Sequence, residues 1–356
     1  MQEGNQIQTL KEIYTMFQDE LSKELYIERL NWLITGDNRH IENIVKKSHP
    51  GVPVWKRTHE AEFISMLPSE KKIVFYGAGS FGERLLPYLE KLGNVEFCDG
   101  DPGKQREGYH GYTVISPQEL IQNAGDSCIV ICTTKYMEEV RNFLLSKGVL
   151  PEQIIDIRPF FCCGTGDEYF YEDFLKYEDQ EIFIDAGSYD LSTTAEFLKV
   201  CKGLKKAYAF EPDGDNFKKC EKRIKEDGGN LPETVLLPYG TWSSSTELHF
   251  HATADGCSRI GEGETVIKTI AIDQAVLPQD KITFIKMDVE GAELESLKGA
   301  ENVIRRDRPK LAICIYHKAE DMITLPVFIK GLVPEYKFYL RSYSNGDNEM
   351  ILYAIP

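Results

Sequence analysis

The chain lacks a surplus of positive charge. It carries 41 Lys and Arg residues against 57 Asp and Glu residues, for a formal net charge of −16. A protein that binds a nucleic-acid backbone neutralises phosphates with Lys and Arg, so this balance argues against nucleic acid as the main partner. It leaves room for a local basic pocket. A small-molecule partner is therefore the better expectation.

Further absences narrow the class of protein. No apolar run approaches the roughly 20 residues that span a bilayer, so no membrane partner is predicted. The polar stretch 1–6 lacks the charged and apolar regions of a signal peptide. None of the nine cysteines forms a C-x-x-C zinc pair, and most lie within apolar runs. Reduced, mostly buried thiols predict a cytoplasmic protein.

At 356 residues, the chain is long enough for two domains and a helical extension. We predict an extension over 1–67, a small Rossmann-like domain over 68–160, a junction over 161–180 and a second domain over 181–356. Short apolar strands alternate with helices in both larger segments, which predicts an α/β fold with two Rossmann-like, doubly wound sheets.

The extension shows helical periodicity and no catalytic chemistry. Leu10, Ile13, Phe17 and Leu21 recur at three- and four-residue steps, and Gly36 begins a break in the pattern. An apolar stripe of this kind packs against another surface. The segment is therefore predicted to serve packing or to join copies of the chain in a homo-oligomer.

The small domain carries a G-x-G-x-x-G pattern between a predicted strand (73–76) and a predicted helix (83–92). Its candidate nucleotide-binding residues are Gly77, Gly79, Ser80, Phe81 and Gly82, with Asp99 at the end of the next strand. Such glycines admit a pyrophosphate to a helix N-terminus, and such an acid accepts from a ribose hydroxyl. NAD(H), a nucleotide-sugar and no ligand at all remain open here. No acid or base for hydride transfer is evident, which disfavours a redox role.

In the second domain, acidic residues stand where predicted strands end. Asp185 follows Ile182-Phe183-Ile184, Glu211 follows Ala209-Phe210, and Asp288 follows Phe284-Ile285-Lys286-Met287. Ligands of open α/β sheets bind beyond the carboxyl ends of the strands. Several carboxylates there suit a cationic ligand with a ribose and without phosphate. S-adenosylmethionine fits this description better than a dinucleotide does.

These segments resemble FkbM-type S-adenosylmethionine-dependent methyltransferases over roughly residues 181–356. The distinctive run is Lys286-Met287-Asp288-Val289-Glu290-Gly291-Ala292-Glu293. The resemblance implies a class I methyltransferase fold, with a terminal antiparallel strand pair, and methyl transfer to an oxygen, often on a sugar. It also implies that Asp185, Gly187 and Glu211 contact the cofactor.

We therefore predict one set of cofactor-binding residues around the first three strand ends. They are Asp185, Ala186, Gly187, Ser188, Tyr189, Thr193, Glu211, Pro212, Asp213, Tyr239, Gly240 and Asp288. One position departs from the family pattern. Leu191 stands where a second glycine of the first loop is common, and its bulk is expected to narrow the methionine pocket and to affect activity.

Two residues are the catalytic candidates. Methyl transfer to a hydroxyl needs a proton acceptor, and His317, at the end of the predicted strand 310–316, would face the same crevice as Asp288. The same side chains, with Glu290, offer the oxygen and imidazole ligands of a divalent cation. A plain structural role for Glu290 at the start of the next helix is the alternative.

The leading hypothesis is thus an S-adenosylmethionine-dependent O-methyltransferase acting on a small hydroxyl acceptor, a sugar or a sugar-containing intermediate. An NAD(P)- or nucleotide-sugar-binding oxidoreductase or sugar-modifying protein driven by the small domain is the second class. A non-catalytic binding protein is the third.

Overall fold

The computed structural model describes residues 3–55, 60–133, 136–161, 164, 168–251, 259–260 and 265–356. The chain divides into two compact units. The larger unit comprises Met1–Ser48, Asp167–Tyr343 and Asn348–Pro356, and the smaller unit comprises His49–Gly166 and Ser344–Asp347. The predicted extension 1–67 is therefore not separate, because its helices divide between the units. The predicted junction 161–180 likewise contributes to both.

Three helices of the larger unit precede its sheet. They are α1 (Glu3–Met16), α2 (Glu20–Thr35) and α3 (Arg39–Ser48). The sequence pattern predicted no break near residue 17, but Asp19 caps α2 by accepting from the Ser22 backbone N–H at 2.8 Å. Asp19 also pairs with Arg341 of the sheet at 2.7 Å. The buried side chains of Leu25 and Tyr26 show that α2 packs into its own unit.

The smaller unit is built on one parallel sheet. Its helices are α4 (Glu60–Ser65), α5 (Ser80–Leu85), α6 (Pro102–Glu107), α7 (Pro117–Gln122) and α8 (Met137–Ser146), and its strands are β1 (Ile73–Tyr76), β2 (Val95–Cys98), β3 (Val114–Ile115), β4 (Cys128–Ile131) and β5 (Ile154–Asp156). Short 3₁₀ helices occupy Leu86–Lys91 and Pro151–Gln153. The strand order is β3-β2-β1-β4-β5. The predicted Rossmann-like sheet is confirmed, with the two-residue β3 added.

The larger unit continues with eleven strands and six helices among the described residues. The strands are β6 (Glu181–Ala186), β7 (Leu204–Phe210), β8 (Glu233–Leu237), β9 (Gly240–Thr241), β10 (Thr246–His251), β11 (Arg259–Ile260), β12 (Thr265–Ile270), β13 (Phe284–Met287), β14 (Lys310–Cys314), β15 (Lys337–Ser342) and β16 (Met350–Ile355). The helices are α9 (Ser192–Val200), α10 (Gly214–Glu226), α11 (Ile272–Ala275), α12 (Glu293–Lys298), α13 (Glu301–Asp307) and α14 (Asp321–Leu332).

Seven of these strands form the main sheet, in the order β8-β7-β6-β13-β14-β16-β15. The first five are parallel, and β16 runs antiparallel to both β14 and β15. This is the methyltransferase sheet with the antiparallel finish that the resemblance implies. Strands β9 to β12 form a small separate sheet.

The topology positions a site between β6 and β13. These strands are neighbours, yet the chain reaches β13 only after building β7 and β8 on the other side of β6. A crevice opens where connections diverge in this way, beyond the carboxyl ends of the strands. Phe183, Phe197 and Phe284 pack beneath the strands and are fully buried. Within the described residues, no helix has the length and apolar character needed to cross a membrane.

Candidate active site

A cavity of about 270 Å³ lies at the carboxyl ends of β6, β7 and β13. This volume is near the lower end of the range for small-molecule sites. Its lining joins apolar side chains, glycines and ionisable groups. The residues are Glu168, Tyr169, Gly187, Tyr189, Ser192, Thr193, Phe210, Glu211, Pro212, Asn216, Gly240, Thr241, Ile267, Lys286, Asp288, Val289, Glu290 and Ala292.

Glu211 is the buried acid of this cavity. It directly follows β7 and is 5 % exposed. Its two oxygens accept from the backbone N–H groups of Tyr189 at 2.8 Å and Asp213 at 2.9 Å. Burial raises its pKa to about 7, although these hydrogen bonds act in the opposite direction. The remaining lone pairs of the carboxylate can accept from ligand hydroxyls.

Asp185 lies beneath the cavity and does not line it. It is fully buried, accepts from the Thr194 hydroxyl at 2.8 Å, and has Lys286 Nζ 3.4 Å from its Oδ1. Lys286 also donates to the Gly187 carbonyl at 2.6 Å. Burial opposes the charge on Lys286, but the carboxylates of Asp185 and Asp288 raise its pKa, so it stays protonated. The pair supports the first loop from below.

The first loop has two tight features. Gly187 adopts a φ of 80°, and a Cβ there would lie 1.9 Å from the Asp288 carbonyl oxygen, so only glycine fits. Leu191 adopts a left-handed φ of 64° and is fully buried with Ala209 and Cys220. Leu191 does not line the cavity. The expected narrowing of the methionine pocket by Leu191 is therefore wrong.

The loop after β13 brings a second group of acids to the crevice. Asp288 lines the cavity and accepts from the Tyr169 hydroxyl at 3.1 Å. Glu290 has a left-handed φ of 55°. Glu293 is fully buried, and its Oε1 accepts from the backbone N–H groups of Val289 at 3.1 Å and Gly291 at 3.4 Å. Glu293 thus holds the turn that presents Asp288 and Glu290.

His317 lies against these acids, behind the cavity lining. Its Nδ1 is 2.9 Å from Glu293 Oε1, and its Nε2 is 3.5 Å from Glu290 Oε2 and 3.6 Å from Asp288 Oδ1. Burial lowers the pKa of the imidazole, but the three carboxylates outweigh burial and raise it to about 9. The premise of a near-neutral pKa is wrong, since His317 carries a proton at pH 7.

Two further carboxyl groups face this site. Burial and the charge of Asp288 raise the pKa of Glu168 to about 7. Burial, Glu168 and Asp288 raise the pKa of Glu349 well above its ordinary value. Sequence reasoning missed both, because neither follows a predicted strand of the parallel core. The region strongly favours an added positive charge.

The structure places many, but not all, of the predicted residues in the cavity. Those that line it are Gly187, Tyr189, Thr193, Glu211, Pro212, Gly240, Asp288 and Glu290, and those that do not are Asp185, Ala186, Ser188, Asp213, Tyr239 and His317. Asp213 instead caps α10 by accepting from the N–H groups of Asp215 and Asn216, each at 2.9 Å. Sequence reasoning gave no role to Tyr169, Asn216, Thr241 or Ile267, for which the strand-end pattern holds no signal.

The smaller unit has its own cavity, of about 570 Å³, at the carboxyl end of its sheet. Gly77, Gly79, Phe81 and Asp99 line it as predicted, whereas Gly82 does not. A Cβ at Gly82 would lie 2.9 Å from the Phe97 ring, so this glycine allows the helix to pack closely. The side chain of Ser80 lies outside the described residues.

Asp99 is already engaged within that cavity. Its Oδ2 accepts from the Ala78 backbone N–H and from Lys104 Nζ, each at 3.0 Å, and its Oδ1 accepts from the Asp101 N–H at 2.9 Å. These contacts lower the pKa of Asp99 against the effect of burial. A ribose hydroxyl would have to share a carboxylate that Lys104 neutralises.

The strand order and the acidic crevice of the larger unit define the methyltransferase class of α/β folds. Residues 185–343 match the family profile described as the methyltransferase FkbM domain. This match confirms the family resemblance seen in the sequence over that segment, which is somewhat less than half of the chain.

One curated relative and two solved structures show how far the similarity extends. Hexuronic acid methyltransferase AglP of Haloferax volcanii is 36% identical over 135 residues, which are 36% of this chain and 53% of the relative. The chain thus spans about half the length of that relative. The crystal structure of methyltransferase FkbM from Methylobacillus flagellatus KT aligns with 20% identity and a TM-score of 0.47, over 89% of this chain and 98% of that one. An rRNA methylase from Streptococcus thermophilus aligns with 19% identity and a TM-score of 0.34, over 50% and 86% respectively.

Proposed function

We propose that the protein is an S-adenosylmethionine-dependent O-methyltransferase whose acceptor is a sugar or a sugar-containing intermediate. The observation that carries the proposal is buried Glu211, at a strand end, opening into the cavity beside Asp288. The match of residues 185–343 to the FkbM domain supports the reaction class. The name of the relative, a hexuronic acid methyltransferase, supports the sugar class.

The charge of the cavity favours S-adenosylmethionine over a cofactor that carries phosphate. Glu168, Glu211, Asp288 and Glu290 line it, and Lys286 is the lining cation among the described residues. Since Lys286 is paired with Asp185, a phosphate would meet mostly like charge. S-adenosylmethionine supplies a methyl group on a cationic sulfonium and carries no phosphate, so the residues present fit it.

Each part of the lining has a role in this proposal. Glu211 accepts from the ribose hydroxyls, as acids at the second strand of nucleotide-binding sheets do. Phe210, Pro212 and Ile267 offer apolar surface for the adenine. Gly187 leaves the backbone open at the methionine end, next to Asp288. Orientation of the reacting groups in such a site contributes about 7–11 kcal/mol to lowering the barrier.

The proton of a hydroxyl acceptor needs a destination. We place Asp288 at the acceptor, because it lines the cavity, and keep His317 as the proton acceptor behind it. With a pKa of about 9, His317 must lose its proton first, and a nearby cationic ligand favours that loss. A general base of this kind contributes about 100- to 10,000-fold to the rate.

Because His317 is protonated, a second kind of methyl acceptor is also favoured, namely the carboxylate oxygen of a hexuronic acid. A carboxylate is already deprotonated at pH 7, so its methylation needs no base. The product would be an ester instead of an ether. Mild alkali releases methanol from an ester and leaves an ether intact, which separates the two acceptors.

The experiment that tests the proposal pairs calorimetry with methyl transfer. The full-length chain is titrated with S-adenosylmethionine and with NAD, and is then incubated with methyl-labelled cofactor and either glucuronic acid or glucose. Binding of S-adenosylmethionine and label on a sugar support the proposal. Heat with NAD alone supports the oxidoreductase alternative, and binding without transfer to any sugar supports the non-catalytic one.

For the smaller unit we propose a nucleotide or nucleotide-sugar binding or scaffold role. The cavity beside Gly77 and Gly79 supports it, and the Asp99–Lys104 pair disfavours Asp99 as a simple ribose acceptor. Titration with uridine diphosphate glucose, with NAD as comparison, tests this role. A Gly79→Val variant serves as the control, since a side chain there would enter open space within the cavity.

The remaining proposals concern the binding partners, the oligomeric state and the cellular location. We propose a small-molecule acceptor without a nucleic-acid partner, in keeping with the net charge of −16. Exposed Ile7, Ile27 and Ile34 on α1 and α2 support a homo-oligomer formed through these helices, which light scattering can test. A cytoplasmic location stays a prediction.

A further inference from the structure

Asp288, Glu293 and His317 form a mixed carboxylate–imidazole cluster behind the cavity. One ligand atom from each of the three side chains lies within 4.8 Å of the others. Glu290 stands at the edge, with Oε2 3.5 Å from His317 Nε2. The three elements that supply these residues are the loop after β13, the start of α12 and the end of β14. The tertiary fold, and not their positions in the sequence, therefore brings these side chains together.

Several atoms of this cluster are buried without a hydrogen-bond partner. Glu293 is fully buried, and its Oε2 has none in the part of the chain that the structure describes. The same holds for Asp288 Oδ1 and for His317 Nε2. A buried polar atom without a hydrogen-bond partner destabilises the fold, so three such atoms in one cluster point to a ligand that the cluster can bind.

The surrounding charge selects a cation as that ligand. Glu168 and Glu349 are further carboxyl groups that interact with Asp288, and the interaction raises the pKa of both, so the cluster disfavours any added negative charge. Lys286 is directed to Asp185 and to the Gly187 carbonyl. A sulfonium in the cavity could approach Asp288, but Glu293 and His317 do not line the cavity. A second cation position, distinct from the cofactor, is therefore available.

We propose that Asp288, Glu293 and His317 bind one divalent cation. Two carboxylates and one imidazole suit a first-row ion such as Mn²⁺, which accepts both oxygen and nitrogen ligands. This set differs from the predicted Asp288, Glu290 and His317, because Glu293 replaces Glu290 as a ligand. The role of the ion rests on the proposed function: held at Asp288, it would favour loss of the proton from the acceptor hydroxyl, and His317 would then act as its ligand instead of as the proton acceptor.

The test measures binding of Mn²⁺ alone to the full-length chain, by electron paramagnetic resonance and calorimetry. His317→Ala and Glu293→Gln should each weaken Mn²⁺ binding by about tenfold or more, since even outer-shell changes weaken metal sites by about 10–100-fold. His40→Ala is the matched control. His40 also pairs with a carboxylate, Glu28, at 2.7 Å, and its loss should leave Mn²⁺ binding unchanged.

The outcomes separate this inference from the proposed function. Circular dichroism of each variant shows that it has folded, and Asp288→Asn replaces any variant that has not. Mn²⁺ binding that is absent, or equal in His317→Ala and the parent, overturns the inference and leaves the methyltransferase proposal standing. Site-specific Mn²⁺ binding without methyl transfer supports the inference and contradicts the proposed function.

Discussion

The Tyr189 backbone N–H donates to Glu211 Oε2 at 2.8 Å and so joins the loop after β6 to the end of β7. The two segments bound the same cavity, one at each neighbouring strand. Because the carboxylate is held from the loop side, its orientation is set before any ligand arrives. A preorganised acceptor of this kind loses little conformational freedom on binding.

Replacing Glu211 should weaken S-adenosylmethionine binding without unfolding the chain. A hydrogen bond to a charged group is worth about 1.5–3 kcal/mol, so Glu211→Ala should raise the dissociation constant about 10- to 100-fold. Calorimetry measures the change. Glu233→Ala is the control, since Glu233 is an exposed acid on neighbouring β8. Equal affinities of Glu211→Ala and the parent would remove Glu211 from the cofactor site.

The affinity for S-adenosylmethionine should rise with pH up to about 7 and then level off. Glu211 titrates at about 7 in the ligand-free fold, and its charged form is the better partner for a cation and for hydroxyl donors. Titrations from pH 5.5 to 8.5 check this. In Glu211→Gln the difference in S-adenosylmethionine affinity between pH 6 and pH 8 should shrink. A profile equal to that of the parent would assign the pH dependence to another group.

Ionisation of Glu211 should lower the stability of the ligand-free protein as pH rises, whereas it raises the affinity for S-adenosylmethionine. Its pKa is raised from 4.5 to about 7 on folding, so the folded state holds a proton that the unfolded state releases across this window. The Glu211 contribution to the free energy of unfolding is therefore full below pH 4.5 and declines as pH rises to 7. Denaturant melts of Glu211→Gln should show a flatter pH dependence than those of the parent.

Loss of the imidazole should lower turnover more than cofactor affinity. His317 contacts Asp288 and the acidic loop but does not line the cavity, so His317→Ala should leave S-adenosylmethionine binding within a few-fold of the parent. The rate of methyl transfer to a hydroxyl should fall about 100-fold or more. A rate equal to that of His40→Ala would remove His317 from catalysis.

Breaking the buried Asp185–Lys286 pair should destabilise the fold strongly. Lys286→Met leaves the Asp185 carboxyl buried beside Thr194 without its cation, at a cost of about 3–5 kcal/mol. Adding Asp185→Asn should recover part of the loss, because no uncompensated charge remains. Chemical denaturation of the single and double variants measures both; additive losses would show that the two residues do not act as a pair.

The buried position of Leu191 gives a test of the fold that leaves the cavity untouched. Leu191→Ala should lower the free energy of unfolding by about 2–5 kcal/mol, as the loss of a fully buried side chain does. The variant keeps its side chain away from the lining, so the S-adenosylmethionine affinity should stay the same. A tighter dissociation constant would restore the idea that Leu191 narrows the pocket.

Much of the fold could be predicted because strands of a parallel sheet are locally encoded. Continuous apolar runs such as 73–76 and 182–184 can only be buried between helices, and the polar residues that follow such runs then share one sheet edge. The domain boundaries could not be predicted in the same way. The ion pair between Asp19, which caps α2, and Arg341 joins positions more than 300 residues apart, and no local pattern records such a contact.

The amino-acid sequence by itself determined the parallel strands of the two sheets, the FkbM-like segment and the acids at Glu211 and Asp288, since period, strand ends and motif are local properties. Only the tertiary structure decided that Asp185 supports Lys286 beneath the cavity and that Leu191 packs away from it. It also decided that Glu293 and His317 meet at 2.9 Å, because that distance depends on how a helix and a strand from different parts of the chain pack together. The pKa of His317 follows from that packing, and so does the case for a cation at its side.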